Sequence, residues 1–371
     1  MISILFVTGC GSKPQDSSID LKRRDIVSIF DFIDRVDVIQ LETNKESLIN
    51  RISQVISYED QYYIFDSREQ AVFCFSKTGR FRYKIHSVGR GPEEYTYLEH
   101  FNIDPYNRRI ILSDVVTSTI LYYDLDGNFI EKRRLPSENR AYNDVYVVNR
   151  DTLLFASAGE FNFIYYSLSE NRIIKRLFPV ENEKRRLLLM GRVYRYQDSL
   201  FFYTPLSENE TYNLSSNDLS IDYKWNFGES NYKKDNIKRL YDEVEIFKTN
   251  FKPYRFVDFI GEGKYLDYFI AHNVETNRYR IASLRVDDSN YISVLYDKNR
   301  GSHYVFDKTT EGIQIIFRHA MNDETIVLLN YDSPEYKFYD MEILTKEQRQ
   351  IIDEHNEESD NPFLVIYHLK Q

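Results

Sequence analysis

A chain that repeats one strand–turn–strand signature at near-constant spacing has few ways to fold other than by stacking copies of a single unit. Here Tyr62-Tyr63-Ile64-Phe65-Asp66 is followed thirteen residues later by Gly79, and Ile110-Ile111-Leu112-Ser113-Asp114 is followed thirteen residues later by Gly127. Weaker copies are Tyr166-Ser167-Leu168-Ser169-Glu170-Asn171, Tyr212-Asn213-Leu214-Ser215-Ser216-Asn217 and Tyr296-Asp297-Lys298-Asn299-Arg300-Gly301, and Tyr367-His368-Leu369-Lys370 stops where a sixth turn begins. The anchors Phe75, Tyr123, Tyr166, Tyr212, Tyr296 and Tyr367 are spaced by 48, 43, 46, 84 and 71 residues. Three intervals match the period of a four-stranded propeller blade. The two long ones contain segments with helical spacing: Ile237, Leu240, Tyr241 and Val244 in one, and Ile343, Leu344, Ile351 and Ile352 in the other. Inserts near 229–258 and 340–360 restore the period.

The expected fold is all-β: a six-bladed β-propeller with four-stranded antiparallel blades and two helical inserts, spanning 35–371. Thr78-Gly79 and Asp126-Gly127 lie between apolar alternations and supply the positive φ of a tight hairpin. Each anchor then falls on the third strand of its blade. The last blade lacks a fourth strand after Tyr367, and Val36-Asp37-Val38-Ile39-Gln40-Leu41 is the strand expected to fill it and close the ring; the alternative is a leader strand packed elsewhere. The chain carries 31 Tyr and 25 Phe, types that pack well on pleated sheets. Anchors recurring at one repeat position favour packing between blades over stacking platforms for ligands.

The N-terminus gives an address. Met1 to Gly9 is apolar or small, Cys10 follows, and residues 11–20 are polar. Val7-Thr8-Gly9-Cys10 resembles the lipobox of bacterial lipoproteins, with residues 1–9 as signal peptide, Cys10 as the lipidated residue and 10–34 as tether. A basic n-region is missing and the apolar run is short, as a start assigned too far downstream would produce. The competing reading is a buried first strand with an ordinary cysteine. The other cysteine, Cys74, sits in the strand-like Ala71-Val72-Phe73-Cys74-Phe75, where it reads as a small buried hydrophobe. With Cys10 acylated, no disulfide framework is possible.

Leu41-Glu42-Thr43, Leu48-Ile49, Tyr62 to Asp66, Gly89-Arg90-Gly91-Pro92-Glu93-Glu94-Tyr95 and Asn361-Pro362-Phe363-Leu364-Val365-Ile366-Tyr367 together resemble the six-bladed, NHL-like β-propeller lipoproteins of Bacteroides and relatives. The resemblance runs from about residue 36 to the end. It is strongest over 36–135 and the last ten residues, while 170–290 departs most. It implies an exported propeller, lipid-anchored to the outer membrane, without a settled activity.

Motifs for chemistry are sparse. Gly89 to Tyr95 has neither the Lys-Ser/Thr of a phosphate loop nor a third dinucleotide-type glycine, so it reads first as a crossover between blades. Were it functional, Arg90, Glu93, Glu94 and Tyr95 are the binding residues expected at the channel mouth. Asp124-Leu125-Asp126-Gly127-Asn128 lacks the remaining ligands of a calcium loop. The seven histidines form no zinc signature, although convergence in space from different blades stays open. No catalytic residue, metal or cofactor is therefore assigned. A net charge of −10 without a dense basic block argues against nucleic acid. The expected function is a monomeric binding or scaffolding module for a glycan, peptide or partner protein, touching the membrane only through its lipid. The alternative is a carbohydrate-active hydrolase or lyase at the channel mouth, and the helical inserts are a further candidate docking surface.

Overall fold

The computed structural model describes residues 18–136, 142–157, 159–179, 192–203, 209–216, 219–249, 259–260, 264–287, 290–315, 319–321, 324–328, 342–356 and 358–371. The expected signal peptide and Cys10 lie outside them.

The described strands form six four-stranded antiparallel sheets around a common axis, an all-β propeller architecture with two α-helices. Sheet 1 contains β2 (Ile52–Tyr58), β3 (Gln61–Asp66), β4 (Ala71–Ser76) and β5 (Phe81–Ile85). Sheet 2 contains β6 (Leu98–Asp104), β7 (Arg109–Asp114), β8 (Thr119–Asp124) and β9 (Phe129–Arg134). Sheet 3 has β10 (Tyr142–Val147), β11 (Thr152–Ser157), β12 (Phe161–Ser167) and β13 (Arg172–Pro179). Sheet 4 has β14 (Arg192–Tyr196), β15 (Ser199–Tyr203), β16 (Glu210–Asn213) and β17 (Ser220–Lys224). Sheet 5 has β18 (Phe269–Glu275), β19 (Tyr279–Arg285), β20 (Tyr291–Asp297) and β21 (Ser302–Phe306). Sheet 6 is split: β22 (His319–Met321), β23 (Glu324–Leu328) and β24 (Phe363–Leu369) come from the C-terminal part, and β1 (Ile33–Gln40) completes it. Every anchor aromatic lies on the third strand of its sheet, as its turn chemistry implies.

A single sheet of this size cannot hide its two apolar faces, so each is covered by a neighbour. The alternation along β24 shows the arrangement: Leu364 and Ile366 pack with Val55, Ile64 and Phe73 of sheet 1, while Val365 and Tyr367 pack with Val274, Ile281 and Leu295 of sheet 5. Sheets 1 and 2 share a core of Phe65, Cys74, Phe101 and Ile110. Sheets 2 and 3 share Ile111, Tyr122, Val145 and Phe155. Leu154 and Phe163 meet Leu200 and Phe202 between sheets 3 and 4, and Tyr203 meets Ile270 and Leu284 between sheets 4 and 5. Burial on both faces is why central strands such as β4 read as continuous apolar runs. The aromatic surplus is spent here: Tyr63, Tyr122, Tyr142, Tyr166, Tyr279 and Tyr367 are all fully buried. Cys74 is buried as expected, and burial pushes its thiol up to about 12.

The third-to-fourth-strand turns carry left-handed glycines, Gly79 at φ +79°, Gly127 at +85° and Gly301 at +64°. Asp124 organises its hairpin by accepting from the amides of Asp126 and Asn128 at 3.0 and 2.8 Å, a turn rather than a calcium loop. Among the described residues no cluster of ligands fit for a metal occurs.

Strand β1 pairs antiparallel with β24, Val36 opposite Tyr367 and Val38 opposite Val365, so the N-terminal strand occupies the fourth place in sheet 6. Of the expected tether of 10–34, residues 10–17 lie outside the described residues, and the rest packs on the ring. Ile19 and Leu21 are buried between sheets 4 and 5, and Asp25 N donates to Val305 O at 2.7 Å along the exposed side of β21. Residues 18–32 thus strap the outer edge of sheet 5, blunting an open strand. Helix α1 (Lys234–Thr249) lies in the crossover from sheet 4 to sheet 5, and α2 (Lys346–Glu354) lies in the connection from β23 to β24. Both connections open on the face that carries the crossovers. A Thr345/Gln348 capping box starts α2, and Gln348 Nε2 donates to Val36 O at 2.7 Å, fastening the helix to β1. Among the described residues no helix is long and apolar enough to cross a membrane.

Candidate functional site

The innermost strands of the sheets, β2, β6, β10, β14 and β18, place polar side chains around the axis near its crossover end. Regular alternation is broken there. Register shifts fall between Ile52 and Gln54, Leu98 and His100, Tyr142 and Val145, and Ile270 and His272. Each bulge inserts an unpaired residue into the inner strand and re-aims the side chains beside it. The same irregularity recurs at the same strand end in sheets 1, 2, 3 and 5.

The result is a relay of polar contacts running from sheet to sheet. Gln54 Nε2 lies 3.1 Å from His100 Nε2 and donates to Phe101 O at 3.0 Å. That geometry requires the His100 tautomer protonated at Nδ1. The His100 ring packs on Tyr146 at 5.2 Å between centroids, and Tyr146 OH lies 3.4 Å from Asp144 Oδ2. Further round, Arg192 Nη1 stands 3.5 Å from His272 Nδ1. Sheets 1 to 5 each contribute a side chain to the belt.

Its electrostatics are perturbed. Burial, reinforced by the neighbouring Asp144 carboxylate, raises the pKa of Glu99. Burial lowers that of His100 against the opposing pull of Asp144, so the ring is neutral near pH 7. Burial first, then Asp144, pushes the Tyr146 phenol well above its ordinary value. The belt therefore offers a neutral imidazole, a phenol hydroxyl, a primary amide, two acidic side chains and a guanidinium in one region. Such a set donates and accepts hydrogen bonds without committing to one charge.

The residues singled out from sequence lie elsewhere. Glu94 folds back so that Gly91 N donates to its Oε2 at 2.6 Å, and Lys132 on β9 donates to its carbonyl at 2.5 Å. Glu93 O accepts from Tyr123 OH on β8 at 3.3 Å. Both glutamates thus sit over the outer half of sheet 2, away from the innermost strands. Tyr95 is fully buried and donates to Gln70 O at 2.6 Å, plugging the joint between sheets 1 and 2. Arg90 is exposed on the crossover. This segment is a crossover whose glutamate caps its own turn. Gly89 leaves room for the Glu94 carboxylate, because a Cβ there meets Glu94 Cδ at 2.5 Å.

Sequence reasoning counted His100 and His272 only among the seven histidines and missed Glu99, Asp144 and Arg192. Bulges in inner strands leave no signature as sharp as a turn glycine. The faint signal is a polar pair opening an inner strand, Glu99-His100 and Asn143-Asp144, where alternation would permit one polar residue.

Comparison with known proteins agrees with this architecture. A Bacteroides fragilis protein described as exported is 19% identical, with 94% of this chain and 98% of that one covered and a TM-score of 0.71. A DUF4221 family member from Bacteroides vulgatus is 10% identical, with 91% and 97% covered and a TM-score of 0.54. At these identities the likeness concerns the fold alone. No curated protein matches the chain. The family model described as domain of unknown function DUF4934 matches residues 17–368, and the chain belongs to that family.

Proposed function

We propose that this chain is an exported six-bladed propeller, anchored to the outer membrane by lipid on Cys10, that acts as a binding or scaffolding module for a glycan, peptide or partner protein. The observation that carries the reading is the polar belt at the crossover end of the axis, where Glu99, His100, Asp144, Tyr146, Arg192 and His272 converge from neighbouring inner strands. Convergent polar groups with perturbed pKa values are a usual mark of a ligand site. Both helices stand in connections on that same face, with Arg90 exposed nearby, so a bound partner has a rim to rest on. The raised pKa of Glu99 beside Asp144 also suits carbohydrate hydrolysis, which needs one protonated and one ionised carboxyl group. Binding is the simpler reading, since the belt needs no reacting bond to account for it.

The test is a glycan array, with a peptide library in parallel, probed with the wild-type chain and with Asp144→Asn and Arg192→Ala. The proposal expects a saturable ligand whose affinity falls about tenfold or more in either variant, the scale of a lost charge-assisted hydrogen bond. Equal binding by wild type and variants overturns the site, and turnover of an arrayed glycan overturns the non-catalytic reading. Palmitate labelling that persists in Cys10→Ala overturns the anchor.

A further inference from the structure

On the opposite face, where the strand-to-strand turns of sheet 5 meet the N-terminal strap and the end of β24, lies a concavity of about 320 Å³. It is within the size range of small-ligand pockets. Its chemistry differs from that of the axial belt. Arg278, Arg300 and Lys370 line it together with Asp31 and Asp297.

The cations are not equally committed. Arg278 is locked: Nε and Nη2 donate to Asp297 Oδ2 at 3.1 and 2.8 Å, and Nη1 donates to Gln371 O at 2.9 Å. Asp297 is itself buried and accepts from the amides of Asn299 and Arg300, so this pair is a fixed wall. Arg300 is different. Its side chain is 65% exposed, its Nη1 donates to Tyr304 OH at 3.2 Å, and its Nε stands 3.8 Å from Asp297 Oδ2. Lys370 Nζ donates to Phe30 O, leaving two of its three donors for other partners. The remaining walls are apolar or aromatic, among them Phe32, Leu295 and the ring of Tyr304. A ring-shaped ligand can lie against Tyr304 while its carboxylate meets Arg300.

We propose that this pocket is a second binding site, for a carboxylate-bearing sugar of the uronic acid class, with Arg300 and Lys370 as the anion-binding residues and Tyr304 as the stacking face. The guanidinium fork matches a carboxylate in two-point geometry, which a neutral sugar cannot use. The site is independent of the axial belt, since it lies on the other face and shares no residue with it.

The experiment is calorimetric titration of the whole chain with digalacturonate and with neutral galactobiose. Wild type is expected to bind the acidic disaccharide saturably and more weakly as salt rises, with no measurable binding of the neutral one. Arg300→Ala, at an exposed side chain, is expected to weaken binding about tenfold or more while the melting temperature stays put. Lys370→Ala is expected to lower it in the same direction. Asp144→Asn, in the axial belt, is expected to leave it unchanged. Equal affinity for both sugars, no saturable binding of digalacturonate, or full affinity in Arg300→Ala each overturns the proposal. Loss of digalacturonate binding in Asp144→Asn alone reassigns the ligand to the axial belt and likewise overturns it.

Discussion

Sheets 2 and 6 present the same four antiparallel strands with the same aromatic on the third, yet they are assembled by different means. In sheet 2 the third and fourth strands are consecutive, and the turn at Asp124–Asn128 sets their register at small entropic cost. In sheet 6 the fourth strand is β1 and the third is β24, from opposite ends of the chain. No turn fixes that register, so side chains must. Asn361 is the main joint: Nδ2 donates to Glu42 O at 2.8 Å and to Ser47 O at 2.7 Å, while Oδ1 accepts from Ile49 N at 2.8 Å. At the other end His368 Nε2 lies 2.8 Å from Asp37 Oδ2, and Lys370 N donates to Phe32 O at 2.8 Å. Where chain connectivity is absent, buried polar specificity takes its place.

The largest test of that contrast is Asn361→Ala. Its side chain is fully buried, and truncation strips Ser47 O and Ile49 N of this partner while Glu42 O keeps Ser47 Oγ, which is expected to cost about 2–4 kcal/mol. The matched change in the contiguous sheet, Asn128→Ala, removes an exposed contact to Asp124 Oδ2 at 2.9 Å and is expected to cost less than about 1 kcal/mol. Urea unfolding of the two variants measures both. Similar losses would mean that the seam is no more dependent on side chains than a hairpin.

The same residues show what could be read beforehand. Leu41-Glu42-Thr43, Leu48-Ile49 and Asn361-Pro362-Phe363 carried the family resemblance, and the structure shows why they travel together: they are the two halves of the joint. Turn glycines and third-strand aromatics were legible because positive φ and burial on both faces restrict residue type. The axial belt was not. Glu99, Asp144 and Arg192 are about 45 residues apart, and their meeting depends on bulges and on the angle between sheets, neither of which limits composition. The Gly89–Tyr95 segment was legible for the opposite reason: a crossover that folds on its own glutamate needs a fixed local sequence, and that need is structural.

A glycine series grades the comparison more finely. A Cβ on Gly79 runs into the backbone carbonyl of Gln40, at the end of β1, so the turn of sheet 1 rests directly on the seam. A Cβ on Gly127 meets the Tyr83 ring at 2.5 Å, and one on Gly301 meets nothing within 4 Å. All three have positive φ, so Gly301→Ala isolates the backbone penalty, about 1 kcal/mol. Gly127→Ala adds displacement of a ring and is expected near 2 kcal/mol, and Gly79→Ala adds displacement of backbone and is expected near 3 kcal/mol. Thermal melts of the three should keep that order. An equal loss at Gly79 and Gly301 would show that the seam yields without cost.

The smallest expected effect concerns acid. Glu311, in the loop after β21, holds the strap where it enters β1: Ser28 Oγ donates to its Oε1 at 2.5 Å and Ile29 N to its Oε2 at 3.0 Å. Burial alone would raise this carboxyl group, but those donors outweigh it and bring its pKa down to about 2. A depressed folded-state pKa means that the stabilisation is present above the unfolded value, about 4.3, and disappears as pH falls through about 2. Asp37, held below the usual carboxylate range chiefly by its hydrogen bond to His368, adds a loss of the same sign at the seam. Glu311→Gln should therefore melt below wild type at neutral pH, and the gap should close progressively as the pH is lowered from about 5 to about 2. Sheet 2 supplies the control, because Glu131→Gln changes a carboxylate that is 40% exposed and accepts from Arg133 Nη2 at 3.3 Å. That variant should show little gap at any pH. A gap for Glu311→Gln that stays constant down to about pH 2 would mean that the strap is held by packing of Ile19, Leu21 and Val27 rather than by the carboxylate, and the split sheet would then rely on the same apolar burial as the contiguous one.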